Sequence, residues 1–233
     1  MHTLHRKGGW LWDGTYFKNH PEWYSVALKQ DKETGEWVPG DRDHSILCPT
    51  HPEMRQQLVK EVDEWLAANY PIRKSVSLSP EDTWQYCHCE RCIQLVDSDD
   101  ARTASALYFD LLNYVAKALH AKYPKAHFNL LSYGAAFTAP QDVTRFRMAP
   151  GTGVAFAHHW RNHGIPIDGN ERFLPRFLAW RELCDRFLFW DYYNNFHCTE
   201  NPFPNTDIFG PAFKFYRDNK FDGGFCQMPF ARL

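Results

Sequence analysis

No stretch of this 233-residue chain approaches the roughly 20 consecutive apolar residues that a membrane-spanning helix needs, so no span is expected. A basic stripe is missing too. The 26 Lys and Arg are mixed with 28 Asp and Glu along the whole sequence, for a net charge of −2, which removes the electrostatic footprint of a nucleic-acid binder. There is no acidic tail, internal repeat or low-complexity segment. The opening MHTLHRKGGW carries basic groups but not the apolar region of a secretory signal, and localisation stays open. A glycine-rich phosphate loop is also lacking, which argues against a nucleotide-binding sheet. So are the local signatures of a Ser/His/Asp or Cys/His nucleophile.

What is present is aromatic. Phe, Trp and Tyr make up 16% of the chain, with nine Trp, and there are twelve His. Flat aromatic faces suit sugar rings, although most such side chains are expected to fill the core. At 44% hydrophobic, the chain can bury one substantial core, and residues 1–233 read as a single domain.

Periodicity sets the order of elements. PEMRQQLVKEVDEWLAAN, 52–69, places Met54, Leu58, Val62 and Leu66 on one helical face, with Thr50 as cap and Pro52 in the first turn. A second helix spans 102–122, where Leu107, Leu111, Val115 and Leu119 recur every fourth residue before Pro124. A third, 171–184, contains Pro175, which kinks it or marks its start. A short helix is expected around 210–219. Strands are predicted at 75–79, 127–133, 153–159, 186–193 and 223–228, with one more ending at His2-Thr3. Strands alternating with helices imply an α/β fold with a parallel sheet. Polar residues follow each apolar run, where a (β/α) TIM-type barrel keeps its chemistry. Five or six strands are too few for the eight of a closed barrel. The expectation is therefore an incomplete barrel, its amino-terminal strands missing.

The strand ends supply the candidate site. Glycoside hydrolysis commonly needs two carboxylates flanking the scissile bond. Glu81 and Asp82 are adjacent, so on an extended chain they face opposite sides and do not form that pair themselves. One of them, with Asp191 after RFLFW, makes chemical sense as a catalytic pair. The competing reading is a solvated turn at Pro80-Glu81-Asp82 and a structural Asp191. Tyr133, His158, His159, Trp160, Tyr192, Asn194 and Gln227 are the candidate substrate-binding residues, suited to hydrogen bonding and stacking.

Seven cysteines leave at least one outside any internal pairing. Cys48, Cys184, Cys198 and Cys226 are dispersed. Cys87, Cys89 and Cys92 form CxCxxC and are the candidate metal ligands, in a structural zinc site whose fourth ligand comes from His88 or a distant residue. A local disulfide, or buried thiols pinning the loop, is the alternative, and no other cofactor is indicated.

Several stretches together resemble the domain-of-unknown-function 4838 family, mostly bacterial proteins with a glycoside-hydrolase-like barrel. They are HTLHR (2–6), HPEWYSV (20–26), ILCPTHPEMR (46–55), SLSPEDTWQYCHCERC (77–92), LLNYVAKALHAKYP (111–124), CDRFLFWDYYNNF (184–196), NPFPN (201–205) and FGPAFKFYRDNKFDGGF (209–225). The resemblance implies the later part of that barrel, a carbohydrate substrate or ligand, and Asp82 as the matching acid. Glu81 stands where relatives usually have Asn, and Cys226 where they often carry Glu. The expected function is glycoside-hydrolase-like action on a carbohydrate through paired carboxylates. The alternatives are a non-catalytic carbohydrate-binding barrel, favoured by Cys226, and a zinc-stabilised structural module. Relatives often look exported, so the parent protein is expected in the periplasm or outside the cell.

Overall fold

The computed structural model describes residues 9–11, 13–70, 72–98, 103–158, 161–193 and 206–227. The chain divides into two compact units, Met1–Thr152 and Gly153–Leu233. The strand expected at His2-Thr3 lies outside the described residues.

The first unit opens with a single helical turn, α1 (Asp13–Tyr16), and then a ribbon in which β1 (Tyr24–Gln30) and β2 (Trp37–Leu47) pair antiparallel. Asp31 closes the turn between them, its carboxylate accepting the N–H groups of Glu33 at 2.8 Å and Thr34 at 2.9 Å. Hydrophobic patterning gives no warning of this ribbon, because Pro39 and Gly40 fall within β2 and both ordinarily demote a strand. The ladder accommodates them with irregularities between Tyr24 and Ser25 and between Val26 and Leu28.

Next comes α2 (Pro52–Asn69), which buries Met54, Leu58, Val62 and Leu66, the face that the four-residue spacing predicts. Thr50 does not cap it. His51 occupies the cap position, and the Thr50 hydroxyl lies 3.1 Å from the Cys92 sulfur instead. β3 (Ser75–Ser77) is shorter than the expected 75–79. Its pairing is nonetheless carried on by Leu78 N–H donating to Asn129 O at 2.9 Å, and Leu131 N–H donating to Ser79 Oγ at 3.1 Å. One turn, α3 (Glu90–Ile93), precedes α4 (Ser105–Leu119), which buries Leu107, Leu111, Val115 and Leu119 as its period requires. β4 (His127–Ser132) then runs parallel to β3, with Ser75 opposite His127. Arg55 of α2 pairs with Asp110 of α4 at 2.5 Å, joining the two helices at their partly exposed edge.

The second unit holds β5 (Thr152–Ala157), α5 (Leu174–Leu183), β6 (Phe187–Tyr192), α6 (Thr206–Asp218) and β7 (Gly223–Gln227). β6 pairs parallel with β5 on one side and β7 on the other, setting Val154 opposite Phe187 and Asp191 opposite Cys226. Pro175 marks the start of α5, where a missing N–H costs nothing. The core here is aromatic. The Phe177 ring lies 5.2 Å from Phe187, 5.4 Å from Phe221 and 5.5 Å from Phe215. Among the described tryptophans Trp10, Trp23 and Trp180 are buried, Trp65, Trp84 and Trp190 half-buried, and Trp37 is 66% exposed. Parallel strands alternating with helices in both units, plus the small antiparallel ribbon, make this an α/β fold.

The last strand depends on a close approach that only glycine permits. A Cβ at Gly224 would sit 2.3 Å from the Phe189 carbonyl oxygen and 2.4 Å from its ring. Gly224→Ala is therefore expected to force β7 off β6 and lower stability by about 3 kcal/mol, the upper range for overpacking. Gly169→Ala, where nothing lies within 4 Å, should stay within about 0.5 kcal/mol. Chemical denaturation of the two variants checks the contrast.

Candidate functional site

In the second unit the strand ends converge on Asp191. The aspartate and His158 side chains are 0% exposed, and so is Arg161, whose guanidinium grips both carboxylate oxygens at 2.8 and 3.0 Å. The Tyr216 hydroxyl of α6 donates to Asp191 Oδ2 at 2.7 Å, and the Tyr192 N–H donates to Oδ1 at 2.9 Å. His158 Nδ1 lies 2.9 Å from the same Tyr216 oxygen, which accepts from it while donating to the aspartate. That chain of donors fixes the proton on Nδ1 of a neutral imidazole.

Burial by itself would raise the Asp191 carboxyl, but donation from His158 and the Arg161 charge hold it well below the usual carboxylate range. The same burial lowers His158 to about 4, outweighing the pull of Asp191. His163, with Nδ1 3.8 Å from Asp191, is lowered to about 4 by burial and the Arg161 charge. Asp191 is thus a permanent anion, suited to hold charge and unsuited to give up a proton. Gln227 lies nearby on β7, its side-chain oxygen accepting from the Trp190 indole at 3.4 Å. The candidates His159, Trp160 and Asn194 lie outside the described residues. Arg161 and Tyr216, absent from the sequence-derived set, complete the anion's surroundings; nothing in their local pattern marks them.

In the first unit, Glu81 is buried and Asp82 exposed, so the adjacent acids do not share an environment. Tyr133, just past β4, hydrogen-bonds Asp82 and is raised to about 12, first by burial and then by that carboxylate. Two of the expected site residues are therefore brought together. The neighbouring Gly134 (φ +52°) is pressed against the Asp82 loop: a Cβ there would meet Thr83 O at 2.3 Å, and Ala135 N–H donates to that same oxygen at 3.0 Å.

Beyond Asp82 the loop turns to the ribbon. Ser25, Leu28, Trp37, Trp84, Tyr86 and His88 line a cleft of about 500 Å³. His88 stacks on Tyr86 with ring centroids 4.3 Å apart. It is therefore a wall of the cleft, and the sulfurs of Cys87, Cys89 and Cys92 gather instead with that of Cys48, all within 4.8 Å of one another. Cys48, Cys87 and Cys92 are fully buried and none of the four is in a disulfide. Donation from Cys87 and Cys92 holds the Cys48 thiol well below its ordinary value, while Cys87 is pushed up to about 12 and Cys92 also rises. Cys48 is the distant partner that CxCxxC lacked.

The buried cluster makes the second unit acid-sensitive. Unfolded histidines titrate near 6.5, whereas His158 and His163 wait until about 4. Between those values the unfolded chain binds the extra protons, so stability rises with pH and is fully present above about 6.5. Thermal unfolding should show Tm falling from pH 7 toward pH 4, with a shallower slope in His163→Gln. Asp191→Asn leaves Arg161 buried without its counter-ion and should cost about 3–5 kcal/mol at pH 7, measured by urea unfolding.

Among curated proteins none matches the chain. The model of one family, described as Domain of unknown function (DUF4838), matches residues 1–230. Spanning nearly the whole sequence, that match establishes that the chain belongs to the DUF4838 family.

Proposed function

We propose that this chain is the carbohydrate-recognising part of a glycoside-hydrolase-like (β/α) TIM-type barrel, and that the cleft beside the β1–β2 ribbon holds the glycan. The observation that carries the reading is the lining of that cleft: Trp37, Trp84, Tyr86 and His88 offer flat faces around about 500 Å³. The exposed Trp37 supports it, since its indole face is open to a ligand in the cleft. Sugar rings present apolar C–H faces rimmed by hydroxyls, which such rings and the Ser25 and Gln85 side chains complement. The carbohydrate context is what the sequence resemblance implies, the matched family being described only as a domain of unknown function.

Recognition is favoured over turnover by the state of Asp191. A fully buried carboxylate, clamped by Arg161, is neither accessible nor protonated, and a glycosidase needs one carboxyl that can give a proton. Hydrolysis is the second reading, and the exposed Asp82 beside Tyr133 is the observation in its favour. In that case Asp82 supplies the reacting carboxylate.

Affinity electrophoresis in soluble polysaccharides, followed by calorimetry with the best oligosaccharide, tests the proposal. Trp84→Ala should weaken binding about tenfold, a loss of about 1.4 kcal/mol, with the fold intact by circular dichroism. No retardation in any polysaccharide, or unchanged affinity in Trp84→Ala, counts against this cleft. Release of reducing ends by the wild type, lost in Asp82→Asn with binding kept, would establish the hydrolytic reading instead.

A further inference from the structure

The geometry points to a structural zinc ion held by Cys48, Cys87, Cys89 and Cys92. Zinc–thiolate bonds of about 2.3 Å arranged tetrahedrally place sulfurs about 3.8 Å apart. Cys48 Sγ lies 3.6 Å from Cys89 Sγ and 3.7 Å from Cys92 Sγ, and all four sulfurs fall within 4.8 Å of one another. Disulfide sulfurs would be near 2.05 Å. A four-iron cluster binds each cysteine to a different iron and spreads the sulfurs farther than this. The spacing therefore matches a single ion.

The surroundings are those of thiolates. Val26 N–H donates to the Cys87 sulfur at 3.3 Å, and the Thr50 hydroxyl lies 3.1 Å from Cys92 Sγ and 3.6 Å from Cys48 Sγ. Such donors orient metal-bound sulfur and spread its charge. Without an ion, three fully buried sulfurs and a partly buried fourth would face one another with only weak S–H donors between them. On binding, the protons still carried by the sulfurs pass to solvent, so that four thiolates form the four Zn–S bonds. No coordination position is left for water or substrate, so the role is structural.

What the ion would hold together is legible in the chain. Cys48 directly follows β2, and about forty residues on Cys87 and Cys89 lie in the loop after β3 and Cys92 in α3. His88 N–H donates to Val26 O at 2.9 Å, next to the Val26–Cys87 contact, so the loop docks on β1. The ion thus closes a loop of about forty residues, and closing long loops gives the largest entropic stabilisation.

The test is metal analysis of the whole chain, purified without chelator and without metal-affinity resin. One zinc per chain is expected by plasma mass spectrometry. Cobalt replacement should give the visible bands and thiolate charge-transfer absorption of a tetrahedral S₄ site. Cys48→Ser should lose the zinc and Cys226→Ser keep it. Should Cys48→Ser not fold, the cobalt spectrum of the unaltered chain still decides. Four freely titrating thiols with no bound metal would overturn the proposal. So would a disulfide among the four in the unreduced mass, iron in place of zinc, or zinc retained in full by a folded Cys48→Ser.

Discussion

The carboxylate of Asp191 is taken entirely out of water at the end of β6, and the second unit is arranged to make that tolerable. A buried charge without a partner costs several kcal/mol. Arg161 from the segment after β5, Tyr216 from α6 and the backbone of Tyr192 all point at it. Each comes from a different element. The carboxylate therefore fixes where α6 lies against the strands, and the aromatic packing of Phe189 on Tyr216, with centroids 4.2 Å apart, follows from that placement. His158 takes its neutral state from the same burial.

The first unit solves a comparable problem with sulfur. Cys48 and the CxCxxC loop meet beside the antiparallel ribbon, and Tyr86 and His88, on either side of Cys87, become walls of the aromatic cleft. Two walls of the cleft and three of the four sulfurs thus lie on one stretch of chain, so whatever fixes those sulfurs also positions the Tyr86 and His88 rings. A loop tied at both ends presents aromatic faces at lower conformational cost than a free one. The two units differ in kind as well: the polar centre of the second is sealed within its core, whereas the first places its acid, tyrosine and indoles within reach of solvent.

The distinction bears on how the carboxylates are understood. Position alone makes Asp82 and Asp191 equivalent, since each follows an apolar strand. Their environments separate them. Asp82 is exposed and touched by one tyrosine, and Asp191 is a clamped anion. Which carboxylate can exchange a proton with a ligand is a matter of desolvation and neighbouring charge, and neither is written in the residue's own strand.

The sequence by itself determined the longer helices and the parallel strands, in their order. The spacing of Met54, Leu58, Val62 and Leu66, and of Leu107, Leu111, Val115 and Leu119, reports a helix face because neighbours on a helix are neighbours in sequence. The parallel strands of each unit followed from their alternation with helices. The ribbon escaped notice because Pro39 and Gly40 break its pattern, and Thr50 read as a cap because its use by a sulfur depends on chain far away. Cys48 joining Cys89 across 41 residues, Tyr216 reaching Asp191 across 25, and Trp37 and Trp84 lining one cleft were decided only by the tertiary structure. Periodicity records which side of an element is apolar; it carries no information about which distant polar group will be buried against it, because that pairing is set by the packing of whole elements.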